Sequence, residues 1–158
     1  VYFEGICDRC EDKNNNEIPD CLKLDNQLCF PLYACAKAVT HRYRPLLDPF
    51  DLTYTQYITM MVLWEQKEIN VKELGEKLYL DSGTLTPVLK KLESKNYISR
   101  HRSEQDERNL ILRLTDEGAN LKKEIVTVPE QMSCCIDLTT EEAAELHRLL
   151  HKIITSID

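Results

Sequence analysis

The chain has 158 residues, 42% of them hydrophobic and 30% charged, with 4 Gly, 6 Pro and a formal net charge of −7. That balance excludes wholesale disorder and argues against a turn-rich sandwich or barrel, leaving a helical protein of one domain or two lobes. No apolar run approaches the roughly 18–20 residues that span a bilayer and no secretory leader is visible, so a cytoplasmic protein with no membrane partner is expected.

Residues 1–23 read as a polar, irregular extension carrying three cysteines, with Lys13-Asn14-Asn15-Asn16-Glu17-Ile18-Pro19 at its centre. From Leu24 to Leu47, Leu28, Leu32, Ala36 and Val39 recur at helical spacing, with Asp25 a candidate N-cap. Pro31 either kinks this helix or sits in the first turn of a restarted one. Thr53-Tyr54-Thr55-Gln56 is a capping box opening a second helix through Ile58, Met61, Val62 and Trp64.

Asn70-Val71-Lys72-Glu73 starts a short third helix with Val71, Leu74 and Leu78 inward. Asp81-Ser82-Gly83-Thr84 turns into a fourth carrying Leu85, Val88, Leu89 and Leu92, closed by Lys95-Asn96. Tyr97 to Arg102 and Asn109 to Leu114 have strand character and flank a charged tip, predicting a hairpin. Thr115 caps a helix predicted from Asp116 to about Cys135. Thr139 or Thr140 caps the last, whose Leu146, Leu149, Leu150, Ile153, Ile154 and Ile157 form a wide apolar stripe.

The expected class is therefore mainly α with a small β-hairpin wing (α+β), a winged helix-turn-helix, with residues 49–115 the expected DNA-binding domain. Although the chain is acidic, residues 90–115 hold seven Lys/Arg against four Asp/Glu. Local charge decides phosphate contact, because screening limits distant charge to about 8 Å at physiological salt. Ser82, Thr84 and Thr86 lie at the start of the fourth helix, where hydroxyls can reach base edges or phosphates. Lys90 and Lys91 follow one to two turns on, and Arg100, Arg102 and Arg108 crowd the hairpin. The same side chains would also suit an ordinary solvated face.

Seven cysteines remain: Cys7, Cys10, Cys21, Cys29, Cys35, Cys134 and Cys135. Their spacing does not suit a secreted disulfide scaffold, so thiol chemistry or metal binding is the better reading. No cofactor is expected. Cys7-x2-Cys10 with Cys21 could supply three metal thiolates, but nothing in the spacing selects a fourth ligand among His41, His101, His147 and His151. Cys29 lies near a helix N-terminus, where the macrodipole and free N–H groups favour a thiolate, with Tyr33 one turn beyond on the same face. Phenol hydroxyls can donate hydrogen bonds to such a thiolate. Cys35 points to a different helical face.

Asp106-Glu107-Arg108 resembles the wing signature of the MarR family of transcription regulators, which are winged-helix homodimers with interlocking terminal helices. By that resemblance residues 24–48 and 116–158 form a helical dimerisation region, Asp106 braces the wing, Arg108 probes the minor groove, and the apolar stripe of the last helix is buried against a second copy. Leu28-Cys29-Phe30, Leu32-Tyr33, Tyr43, Thr53-Tyr54-Thr55-Gln56-Tyr57 and Leu78-Tyr79-Leu80-Asp81-Ser82-Gly83-Thr84-Leu85-Thr86-Pro87 are similar to the organic-hydroperoxide-sensing OhrR branch. The resemblance implies a repressor of a pseudo-palindromic double-stranded operator, induced by organic hydroperoxides. Cys29 is then the peroxidatic cysteine and Tyr43 and Tyr54 its hydrogen-bond partners. Tyr33 lines the pocket or comes from the partner subunit. Cys134 or Cys135 resolves the oxidised thiol, unless a small cellular thiol does. Two other readings are a MarR-type regulator released by a phenolic or metal ligand, and a thiol peroxidase enzyme. The second leaves the wing and recognition helix unexplained.

Overall fold

Helices carry most of the backbone in the computed structural model, which describes residues 18–102 and 109–157. The chain divides into two compact units, Val1–Ile58 and Thr59–Asp158. The described elements are α1 (Cys29–Leu47), α2 (Tyr54–Gln66), β1 (Glu68–Asn70), α3 (Val71–Leu78), α4 (Ser82–Ser94), β2 (Ile98–Arg102), β3 (Leu110–Leu114), α5 (Asp116–Ile125), α6 (Val128–Ser133) and α7 (Thr140–Ile157).

In the first unit, helix α1 begins at Cys29 rather than near Leu24, and Asp25 is not its N-cap. Asp25 lies instead in a one-turn 3-10 segment, Leu24–Asn26. Two side-chain amides hold the chain out of the helix there. Asn26 Nδ2 donates to the Asp20 carbonyl at 2.9 Å and Gln27 Nε2 to the Cys21 carbonyl at 2.6 Å. Pro31 is the third residue of α1, where a missing N–H costs no intrahelical bond. The capping box of α2 forms as expected: Gln56 N–H donates to Thr53 Oγ1 at 3.3 Å, and Thr53 N–H donates to Gln56 Oε1 at 3.0 Å.

The buried stripe of α2 is Gln56, Tyr57, Thr59, Met60 and Leu63, at helical spacing, while Met61 is 40% exposed. The apolar composition of this helix hides which face turns inward.

In the second unit, the sheet has three strands in the order β1-β3-β2, one more than the expected hairpin. Strand β1 is only three residues long and pairs antiparallel with β3, Ile69 facing Leu112. Strand β2 pairs with β3 from Ile98↔Leu114 to Arg102↔Leu110. Leu74, Leu85, Leu89, Leu92, Ile98 and Leu112 are buried, and each such side chain contributes about 1.5–3 kcal/mol. The turn between α3 and α4 is tight. Leu80 N–H donates to the Gly75 carbonyl at 3.0 Å, and a Cβ at Gly75 would lie 2.8 Å from the Leu80 carbonyl oxygen. Glycine is required there.

The helix expected from Asp116 to about Cys135 is two helices. Pro129 has no N–H to give the Ile125 carbonyl, so α5 stops and α6 restarts with the proline in its first turn. Thr139 caps α7 through a second capping box with Glu142. No residue of α7 is buried, although its stripe is apolar.

Candidate functional site

Helix α4 is built to present its first turn. Asp81 caps it, its carboxylate accepting the Thr84 N–H at 2.9 Å and the Thr84 hydroxyl at 3.0 Å. Those bonds, the Thr84 N–H first, hold the Asp81 carboxyl below its ordinary pKa. The Thr86 hydroxyl donates to the Ser82 carbonyl at 2.7 Å, leaving its oxygen able to accept. Ser82, Thr84, Thr86, Lys90 and Lys91 are all exposed, whereas Leu85, Leu89 and Leu92 face inward. The helix therefore offers one polar, cationic face.

The wing is tied to that helix by an ion pair absent from the sequence reading. Arg100 Nε donates to Glu93 Oε2 at 2.8 Å, and its Nη2 donates to the same oxygen. This pairing holds the Glu93 carboxyl below its ordinary pKa. Arg100 thus braces β2 against α4 and keeps part of its charge engaged, while Arg102 is exposed. Arg113 and Glu68 tie β3 to β1 in the same way at 2.5 Å. Asp106 and Arg108 lie outside the described residues, as do Cys7 and Cys10. Cys21 is half-buried, and among the described residues no group of three or more His, Cys, Asp or Glu gathers to hold a metal.

In the first unit Cys29 is the first residue of α1, exposed, and its helix start carries no side-chain cap. The first-turn N–H groups are consequently not taken up by a side-chain cap. Tyr33 stands one turn on, 61% exposed, with Lys37 Nζ 5.2 Å above its ring. Tyr43 and Tyr54 come together with ring centroids 4.8 Å apart, and Tyr57 joins them 5.9 Å from Tyr43.

Burial, then the neighbouring phenols, push the Tyr43 and Tyr57 hydroxyls above their ordinary pKa. They stay protonated donors at neutral pH. Tyr57, part of the matching segment but assigned no role there, lies three residues after Tyr54, which puts both on one helical face. Cys29 is not joined to this cluster within the chain. Fourteen residues of α1 separate it from Tyr43, about 21 Å along the axis. Cys35, Cys134 and Cys135 are exposed and form no disulfide. Cys134 is at the C-cap of α6, and Cys135 Sγ lies 3.4 Å from the Gln131 carbonyl.

A helix pair with a three-residue turn, followed by a two-stranded ribbon braced to the second helix, defines a winged helix-turn-helix protein of the kind used by transcriptional regulators. The profile of the SarA/Rot transcriptional regulators matches residues 41–125. An organic hydroperoxide resistance transcriptional regulator of Bacillus subtilis is 44% identical over 138 residues, 87% of this chain and 94% of that protein. SarZ of Staphylococcus haemolyticus is 42% identical over 133 residues, 84% and 90% of the two chains.

Among solved structures, reduced AbfR bound to DNA matches with a TM-score of 0.74 and 32% identity, covering 85% of this chain and 92% of that one. AbfR is a Staphylococcus epidermidis protein, and its disulfide-containing form matches less well, with a TM-score of 0.58. The chain belongs to the MarR-type winged-helix transcriptional regulators, in the branch that holds the organic hydroperoxide resistance regulators and SarZ. Among the described residues no helix is long and apolar enough to cross a membrane.

Proposed function

We propose that the protein is a homodimeric repressor of a pseudo-palindromic operator, released when organic hydroperoxides oxidise Cys29. The observation that carries this reading is the axial separation of Cys29 and Tyr43 on one helix. A thiol and its phenol donors so far apart in one chain meet only if a second copy supplies one of them. The Tyr43–Tyr54 pair, with Tyr57 behind it, serves the partner's thiolate. The uncovered stripe of α7 and the exposed length of α1 are the surfaces that such a partner covers, so residues 24–48 and 116–158 act as the dimerisation region.

The chemistry balances simply. The Cys29 thiolate attacks the distal peroxide oxygen, the O–O bond breaks, and the alkoxide leaves with a proton as the alcohol. A thiol from Cys134 or Cys135 then attacks the sulfenic sulfur and expels water, giving a disulfide between protomers. In AbfR, a relative that exists in both reduced and disulfide forms, the two forms resemble this chain to different degrees, 0.74 against 0.58. A change of that kind moves the recognition helices, which must meet half-sites roughly 34–36 Å apart. Ser82, Thr84 and Thr86 read or position on the groove, Lys90, Lys91, Arg102 and Arg108 neutralise phosphate or enter the minor groove, and Asp106 braces the wing. No turnover is required of a switch, and the protein is not an enzyme in this reading.

The deciding experiment is a gel-shift titration with cumene hydroperoxide. Native protein should leave its DNA, and Cys29→Ser should stay bound at the same peroxide concentration. Equal release from both would overturn the thiol switch. Non-reducing electrophoresis of oxidised protein should show a crosslinked dimer that is lost only when both Cys134 and Cys135 are replaced.

A further inference from the structure

We propose that His147 and His151 on α7 form a two-nitrogen chelating site for a divalent late transition-metal ion such as Zn2+, Ni2+ or Cu2+. The two residues are one helical turn apart and both are exposed. Their rings lie with centroids 4.3 Å apart at 52°, and the two Nε2 atoms converge to 3.1 Å. In the metal-free chain that contact is a hydrogen bond when one ring carries its proton on Nε2 and the other on Nδ1.

The separation suits an ion as well as a proton. With a metal–nitrogen bond of roughly 2.0–2.1 Å, two donors 3.1 Å apart subtend about 95–100° at the ion, between the octahedral and tetrahedral angles. Imidazole donors favour late transition ions over Mg2+ or Ca2+, which take oxygen. The remaining coordination positions are open to water.

The surroundings add no obstacle. The neighbours one turn away on that side, Ala143, Ala144, Leu150, Ile154 and Thr155, are uncharged. Of the two cations adjacent in sequence, Arg148 is held by Glu145 through two hydrogen bonds of 2.8 and 2.6 Å, and Lys152 is exposed to solvent. Helix α7 is fixed at its start by the Thr139–Glu142 capping box, so both side chains leave a regular, preformed scaffold. The pair stands at the border of the apolar stripe, beside Leu150 and Ile154. An ion there clips one turn of the helix that the proposed dimer would use, yet the site rests on α7 alone and not on the redox reading.

Seven cysteines compete for such ions, so the readout must be specific to the imidazoles. Long-range 1H–15N spectra of the full reduced chain resolve the ring nitrogens of four histidines. His41 and His101 serve as internal controls. Titration with Zn2+ should shift the His147 and His151 signals together, at a stoichiometry of one such site per chain. His147→Gln, which keeps a good helix former in place, should raise the Zn2+ dissociation constant read at His151 by about tenfold or more, because one of two donors is gone. His151→Gln should do the same at His147. Ring signals unchanged in excess Zn2+, or one histidine responding regardless of the other, would overturn the site.

Discussion

Gly118 is the position where a single methyl group should do most damage to the second unit. A Cβ at this residue would lie 2.1 Å from the Tyr97 carbonyl oxygen and 2.8 Å from Leu114 Cδ1. The carbonyl is backbone and cannot rotate away, so the start of α5 must retreat by about 1.3 Å to reach ordinary contact. Three hydrogen bonds resist that movement. Thr115 N–H donates to the Tyr97 carbonyl at 3.2 Å, Thr115 Oγ1 donates to the Asn96 carbonyl at 2.6 Å, and Trp64 Nε1 donates to the Gly118 carbonyl at 2.8 Å. Losing two or three of them at about 1 kcal/mol each predicts a destabilisation of about 2–3 kcal/mol for Gly118→Ala. For a chain of this length that corresponds to a fall in Tm of roughly 4–12 °C. Thermal denaturation by circular dichroism, at equal protomer concentration for both proteins, measures it. Because α5 leaves the wing at this point, DNA affinity should weaken as well, while the rate of Cys29 oxidation should stay unchanged. A loss below about 0.5 kcal/mol would show that the close approach of α5 to the Tyr97 carbonyl has been misjudged.

Two further outcomes test the interface. Asp81→Ala removes the cap of the recognition helix and should lower both Tm and DNA affinity. The carboxyl is depressed in the folded chain, so its contribution is present above the unfolded value of about 4 and is lost as pH falls through the folded value. The Tm gap between native protein and variant should therefore close on acidification below about pH 4, and a gap independent of pH would refute the charged cap. Lys90→Ala and Lys91→Ala should each weaken binding to all DNA sequences alike and lower the slope of log affinity against log salt by about 1. An unchanged slope would place that lysine away from phosphate.

Local chemistry made much of this molecule readable in advance. Capping residues declare helix starts through bonds that span three positions, so Thr53, Asn70, Asp81, Thr115 and Thr139 located five helices correctly. The order of those helices and the β-hairpin named the fold, and the Cys29–Tyr33 and Tyr54–Tyr57 segments named the branch. Other features depend on partners remote in the chain. The third strand consists of three residues whose only strand signal is their pairing with Ile111 to Arg113. The amides of Asn26 and Gln27 divert the chain from helix by reaching back six residues. The Arg100–Glu93 brace needs α4 and β2 folded against each other before either charge finds its partner.

Residue types and short spacings were thus enough to identify the winged helix and to single out Cys29 as the candidate thiol, because caps, periodicity and turn residues act within a few positions. Which face of α2 is buried and how the wing is braced were decided only by tertiary structure. Those facts follow from distances between elements, and a linear pattern contains no such distances.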